Sequence, residues 1–173
     1  MLRIALIGLA LVFGATSGNA RDAAAAATDC NQTEDADKSL AACTELIEVH
    51  KVDGLNLAVA YFKRGLAYDS KQNYVAAIAE YDHAIKVKPD LQPLYFKRGL
   101  AHRRNGQPDL SVADYTKAIE LDPKDADSVS NRGRAYLDLG EKDKAIADFR
   151  AALVLDPKHD KALAHLEELG LKP

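Results

Sequence analysis

Three arginines stand 34 residues apart in this 173-residue chain: Arg64, Arg98 and Arg132. Each is followed on the same period by an acid, Glu80, Asp114 or Asp148. A guanidinium is a planar fork of five donors that fits a carboxylate with two parallel bonds. Such a row can do two things. It can link neighbouring helices as a structural ladder, which the matching row of acids favours, or it can hold an anionic ligand, which is the second reading. Other reactive groups are scattered. His50, His83, His102, His159 and His165 form no pair at the i, i+4 spacing of helical metal ligands. There is no Gly-x-Ser-x-Gly, no Gly-x-x-x-x-Gly-Lys-Ser/Thr and no His-Glu-x-x-His. Glu167 and Glu168 are adjacent, so they point to different parts of a helix and read as a solvated face. No catalytic residue, metal or cofactor is nominated, and the expectation is a protein that is not an enzyme.

Composition narrows the setting. The hydrophobic share is 47%, with no Trp and 6% aromatic residues, so the interior must rest on close approach of small side chains. Six Pro and ten Gly are too few for a collagen-like or low-complexity chain. The net charge of −3 gives no global basic field for nucleic acid. At the start, Arg3 precedes an apolar run over residues 4–15, and Gly18-Asn19-Ala20 supplies small residues at a cleavage point. Residues 1–20 are therefore expected to be a signal peptide. Its 12 apolar residues would span about 18 Å as a helix, short of a bilayer core. An uncleaved anchor is the competing reading. The protein is expected to be exported, to a periplasm or the extracellular space.

Periodicity supplies the architecture. Gly65, Gly99 and Gly133 share the 34-residue spacing, as do Pro89, Pro123 and Pro157. So do Ala84, Ala118 and Ala152, and Tyr81, Tyr115 and Phe149. Repetition at this period means stacked helical units, none of which buries enough apolar area alone. The units are 58–91, 92–125 and 126–159. Within each, the spacing predicts one helix over positions 1–14 and an amphipathic one over positions 17–30. The prolines end each unit, because the residue before Pro is pushed out of helical geometry. Gly at position 8 is expected to let the two helices approach, opposite Ala77, Ser111 and Ala145.

These landmarks resemble the tetratricopeptide repeat family. Unit one carries the family pattern in Tyr61, Gly65, Tyr68, Ala77, Tyr81, Ala84 and Pro89. Unit two departs at position 11, where His102 stands in a place the family gives to Tyr. Arg at position 7 replaces the family's Leu in all three units. The resemblance implies an all-α tetratricopeptide-repeat superhelix, with a concave face lined by first helices and a C-terminal capping helix in residues 160–173. Residues 21–57 resemble a degenerate extra unit with a linker, the loop falling at 51–57 and a second-type helix at 37–49. Residues 23–28 form either a poor first helix or a tail. In that register Cys30 and Cys43 occupy positions that face each other in the family, which in an exported chain implies a disulfide. Two buried free thiols are the alternative.

The resemblance also places a partner groove on the concave face. Phe62, Leu66, Phe96 and Leu100 would be its apolar anchors, ringed by Lys63, Lys97, Arg103, Arg104 and Arg134 and opposed by Asp69, Asp127 and Asp138. The bland alternative is that Phe62 and Phe96 are covered by neighbouring helices. The family's chaperone-tail carboxylate clamp does not fit units one to three, which hold Phe62, Leu66, Lys97, Asp127 and Asn131 at its positions. The expected function is an adaptor that binds a protein or peptide of acidic or free-carboxylate character. No nucleic acid and no membrane span after signal removal are expected. End-to-end self-assembly through repeat faces is the rival.

Overall fold

A computed structural model describes residues 19–32 and 34–172. The expected signal peptide lies outside the described residues, apart from the last two of its positions. Nine helices and no strand occur among the described residues. In order they are α1 (Asn19–Cys30), α2 (Ala36–Glu48), α3 (Gly54–Ser70), α4 (Tyr74–Val87) and α5 (Gln92–Arg104). They continue with α6 (Pro108–Leu121), α7 (Ala126–Asp138), α8 (Lys142–Leu155) and α9 (Asp160–Glu168). Antiparallel pairs α1–α2, α3–α4, α5–α6 and α7–α8 stack in sequence, and α9 closes the stack against α8.

Helix ends follow local chemistry. Asp35, Asn73 and Asp125 cap α2, α4 and α7 by accepting a backbone N–H two or three residues into the helix. Pro108 sits in the first turn of α6, where its missing N–H leaves nothing unsatisfied. Between the helices of a hairpin the chain passes through the left-handed region. Gly106 and Gly140 do so at φ 75° and 77°. In the first repeat that place belongs to Gln72, at φ 58°, and not to the neighbouring Asn73. Helix α3 begins at Gly54, so the loop expected at 51–57 shrinks to three residues and the first repeat gains a turn. Residues 23–28 belong to α1 and are not a tail.

The core is one motif used three times. Tyr81, Tyr115 and Phe149 are fully buried, each beneath the glycine of its paired first helix. A Cβ on Gly65 would stand 2.6 Å from the Tyr81 ring, and one on Gly133 2.9 Å from Phe149. The close approach expected opposite position 20 is thus made mainly to the ring at position 24, with Ala145 contributing a carbonyl only at Gly133. Burying each ring contributes roughly 1.5–3 kcal/mol. In the N-terminal hairpin that ring is replaced by a disulfide between Cys30 and Cys43, whose Cα atoms are 4.7 Å apart. Ser39 donates to the Cys30 carbonyl at 3.0 Å beside it. Ala26, Ala27, Ala42, Leu46 and Val52 pack around the bridge. At the other end Ala162 and Leu166 of α9 are fully buried against α8.

Candidate functional site

The arginines at 34-residue spacing face inward, between helices. Arg64 donates to both oxygens of Glu80 at 2.9 and 3.0 Å, and Arg132 to both of Asp148 at 2.8 Å. Arg98 does the same with Asp114. Each guanidinium also reaches an oxygen on the preceding hairpin: Thr44, Asp82 and Thr116 respectively. Asp114 is 6% exposed and Arg98 21%, so the charges are largely removed from water. Burial disfavours the Arg98 cation, but hydrogen bonds and attraction from Asp114 and Asp82 outweigh it and hold the group above its ordinary range. The row therefore ties every repeat to its own second helix and to the one before. An external anion would find these donors already used. His102 lies in the same layer, with Nδ1 2.9 Å from Gln107 Oε1.

The concave face has a groove of about 460 Å³ at its C-terminal half. Helix α5 supplies Phe96, Lys97, Leu100, Arg103 and Arg104. Helix α7 adds Ser130, Asn131 and Arg134, and α9 adds Lys161 and His165. Six of the nine residues expected on this face meet there. Phe62, Lys63 and Leu66 lie outside this groove. Phe62 and Leu66 are half-buried, packed against the cluster of Ala77, Tyr81 and Ala101. The Phe62 ring lies 5.9 Å from that of Tyr81. Phe96 makes a similar contact with Tyr115, at 5.7 Å, yet keeps an edge on the groove.

Charge on this face is organised in pairs. Arg104 reaches back to Asp69 of α3 at 2.8 Å, and Arg103 reaches forward to Asp138 of α7 at 3.2 Å. Asp138 also receives Arg134 at 3.4 Å, so one carboxylate serves two guanidiniums. Lys161 lies 3.1 Å from Asp127, which His159 approaches at 3.5 Å. Lys97 has no carboxylate partner among the described residues and lies over the Phe96 ring at 5.9 Å. These three acids stand behind the cations, and none lines the groove. The surface offered to a ligand is thus basic and partly aromatic, on a chain whose net charge is −3. Beneath it, burial pushes the Tyr115 hydroxyl up to about 12, with Arg103 opposing.

No group of three His, Cys, Asp or Glu side chains fit to hold a metal occurs among the described residues. None of the described helices is long and apolar enough to cross a membrane.

Family models described as tetratricopeptide repeat match residues 58–91 and 96–168. The second match runs through the end of α9. A search of curated proteins returns no match. Among solved structures, the Arabidopsis OM64 TPR domain is 28% identical with a TM-score of 0.64, covering 66% of this chain and 95% of its own. The second TPR domain of human RPAP3, in complex with the HSP70 peptide SGPTIEEVD, is 27% identical with a TM-score of 0.63, covering 66% and 96%. MamA is 25% identical with a TM-score of 0.66, covering 73% and 71%.

Proposed function

Because the chain belongs to the tetratricopeptide repeat family, we propose that it is an adaptor whose C-terminal concave groove binds a protein or peptide partner. The observation that carries this is the groove itself: five cations and the rim of Phe96 and Leu100, with no carboxylate on its lining. A partner with an apolar residue next to acidic ones matches both features. The peptide held by the RPAP3 domain supports a peptide as the kind of ligand.

The adaptor works outside the cytoplasm in this reading. Support comes from the apolar run over residues 4–15 and from the bonded Cys30 and Cys43, since structural disulfides persist in oxidising compartments.

The test is affinity capture with the wild-type chain and with Phe96→Ala, identification of the proteins retained, and light scattering of the free chain. A partner retained by wild type and lost by Phe96→Ala, from a chain that is monomeric alone, fits the adaptor. A mass that rises with concentration and no retained partner would favour self-assembly through repeat faces.

A further inference from the structure

We propose that α9 is a working wall of the groove as well as the cover of the last repeat, with Lys161 reading an acidic side chain of the bound peptide. This rests on the groove being a peptide site. The two duties fall on different faces of one short helix. Ala162 and Leu166 are fully buried and do the covering. Lys161 and His165, each one residue earlier, line the groove instead. His165 also helps the cover, its ring 4.9 Å from that of Phe149, but a cover alone does not need Lys161 there. Both residues share the groove's lining with first-helix residues of α5 and α7.

Lys161 is also readily released to a ligand. Its side chain is 65% exposed and that of its partner Asp127 52%. Exposed pairs of this kind are weak, so an incoming carboxylate can take over the ammonium at little cost. Asp127 keeps His159 as a neighbour when Lys161 turns away. Arg103, 25% exposed, is held by Asp138 at 3.2 Å, a carboxylate that Arg134 shares at 3.4 Å. Lys97, without a carboxylate among the described residues, lies on the other bank of the same groove. The occupant is therefore a peptide segment lying across α5, α7 and α9. Its apolar residue lies on Phe96 and Leu100, and its Asp or Glu side chain between Lys97 and Lys161.

The experiment uses the full chain and a panel of fluorescent decapeptides, all with amidated C-termini. Each carries one Leu or Phe flanked by Asp and Glu, and each has a counterpart with Asn and Gln; free-carboxylate versions form a third arm. Acidic amidated peptides should bind about tenfold more tightly than their amide counterparts at low salt. Lys161→Ala should weaken the acidic set roughly fivefold and leave the neutral set unchanged, with unfolding the same as wild type. Phe96→Ala should weaken both sets. If Phe96→Ala weakens binding and Lys161→Ala does not, the groove stands and the role of α9 is overturned. Binding confined to the free-carboxylate arm would replace the acidic side chain with a chain terminus and also overturn the proposal. If no peptide of the panel binds, the peptide-groove reading fails, and this inference with it.

Discussion

Arg98 of α5 grips both carboxylate oxygens of Asp114 on α6 and, with its remaining nitrogen, Asp82 of the preceding hairpin at 2.5 Å. One side chain thus joins two units of the stack. Arg98→Leu leaves Asp114 buried without its counter-ion and should cost about 3 kcal/mol, several times an exposed pair. Adding Asp114→Asn should recover part of that loss, because the stranded charge is gone. Urea unfolding of the single and double variants measures both. A cost below about 1 kcal/mol for Arg98→Leu would place the row on the surface and end its structural role.

Gln72 holds the left-handed turn that glycine fills in the next two repeats. A side chain there carries a steric cost that glycine avoids. Gln72→Gly should raise stability by up to roughly 1 kcal/mol, and Gly106→Ala should lower it by a similar amount. Opposite signs in thermal unfolding are the expected result; equal signs would show that the turn geometry differs.

The Cys30–Cys43 bridge does for α1 and α2 what a buried ring does in the later hairpins. Closing so short a loop should contribute roughly 3 kcal/mol in the chain-entropy model. Thiol titration of denatured, unreduced protein should find no free thiol. Reduction should speed proteolysis within α1 while α5 to α8 stay protected. Two titratable thiols per chain would remove the bridge.

Burial pushes the Tyr115 hydroxyl from 10 up to about 12, with Arg103 and the neighbouring Ser111 hydroxyl opposing. With the folded value above the unfolded one, the contribution is complete below pH 10 and is lost as pH rises toward 12. Phe149 fills the same place in the next repeat without a hydroxyl. Tyr115→Phe should therefore keep its stability at neutral pH and flatten the alkaline decline by about 1.4 kcal/mol per pH unit. An unchanged alkaline slope would contradict this.

Much of the fold was legible because one 34-residue period repeats through Gly, Tyr and Pro. The pairing of Arg64, Arg98 and Arg132 with acids was legible for the same reason. Their third contacts were not, because Thr44, Asp82 and Thr116 are not one residue type and Thr44 lies off the 34-residue period. The pairs Asp69–Arg104 and Arg103–Asp138 escaped because they join neighbouring units, so no single repeat displays them. That Phe96 borders the groove and Phe62 does not was illegible, because the two hold the same repeat position and are both half-buried. Phe62 and Leu66 pack on the cluster that includes Ala101 of α5, while Phe96 lines the groove. The charged residues of α9 read as a solvated cap, and only the assembled stack brings Lys161 and His165 into the groove.

The central claim is that a peptide is bound in the groove of α5, α7 and α9. Its most direct test is a backbone amide NMR titration of the full chain with the tightest-binding peptide. Shifts should cluster around Phe96, Leu100, Asn131, Arg134 and His165, and titrate with one affinity. Shifts confined to α4, α6 and α8, with these residues unmoved, would contradict it.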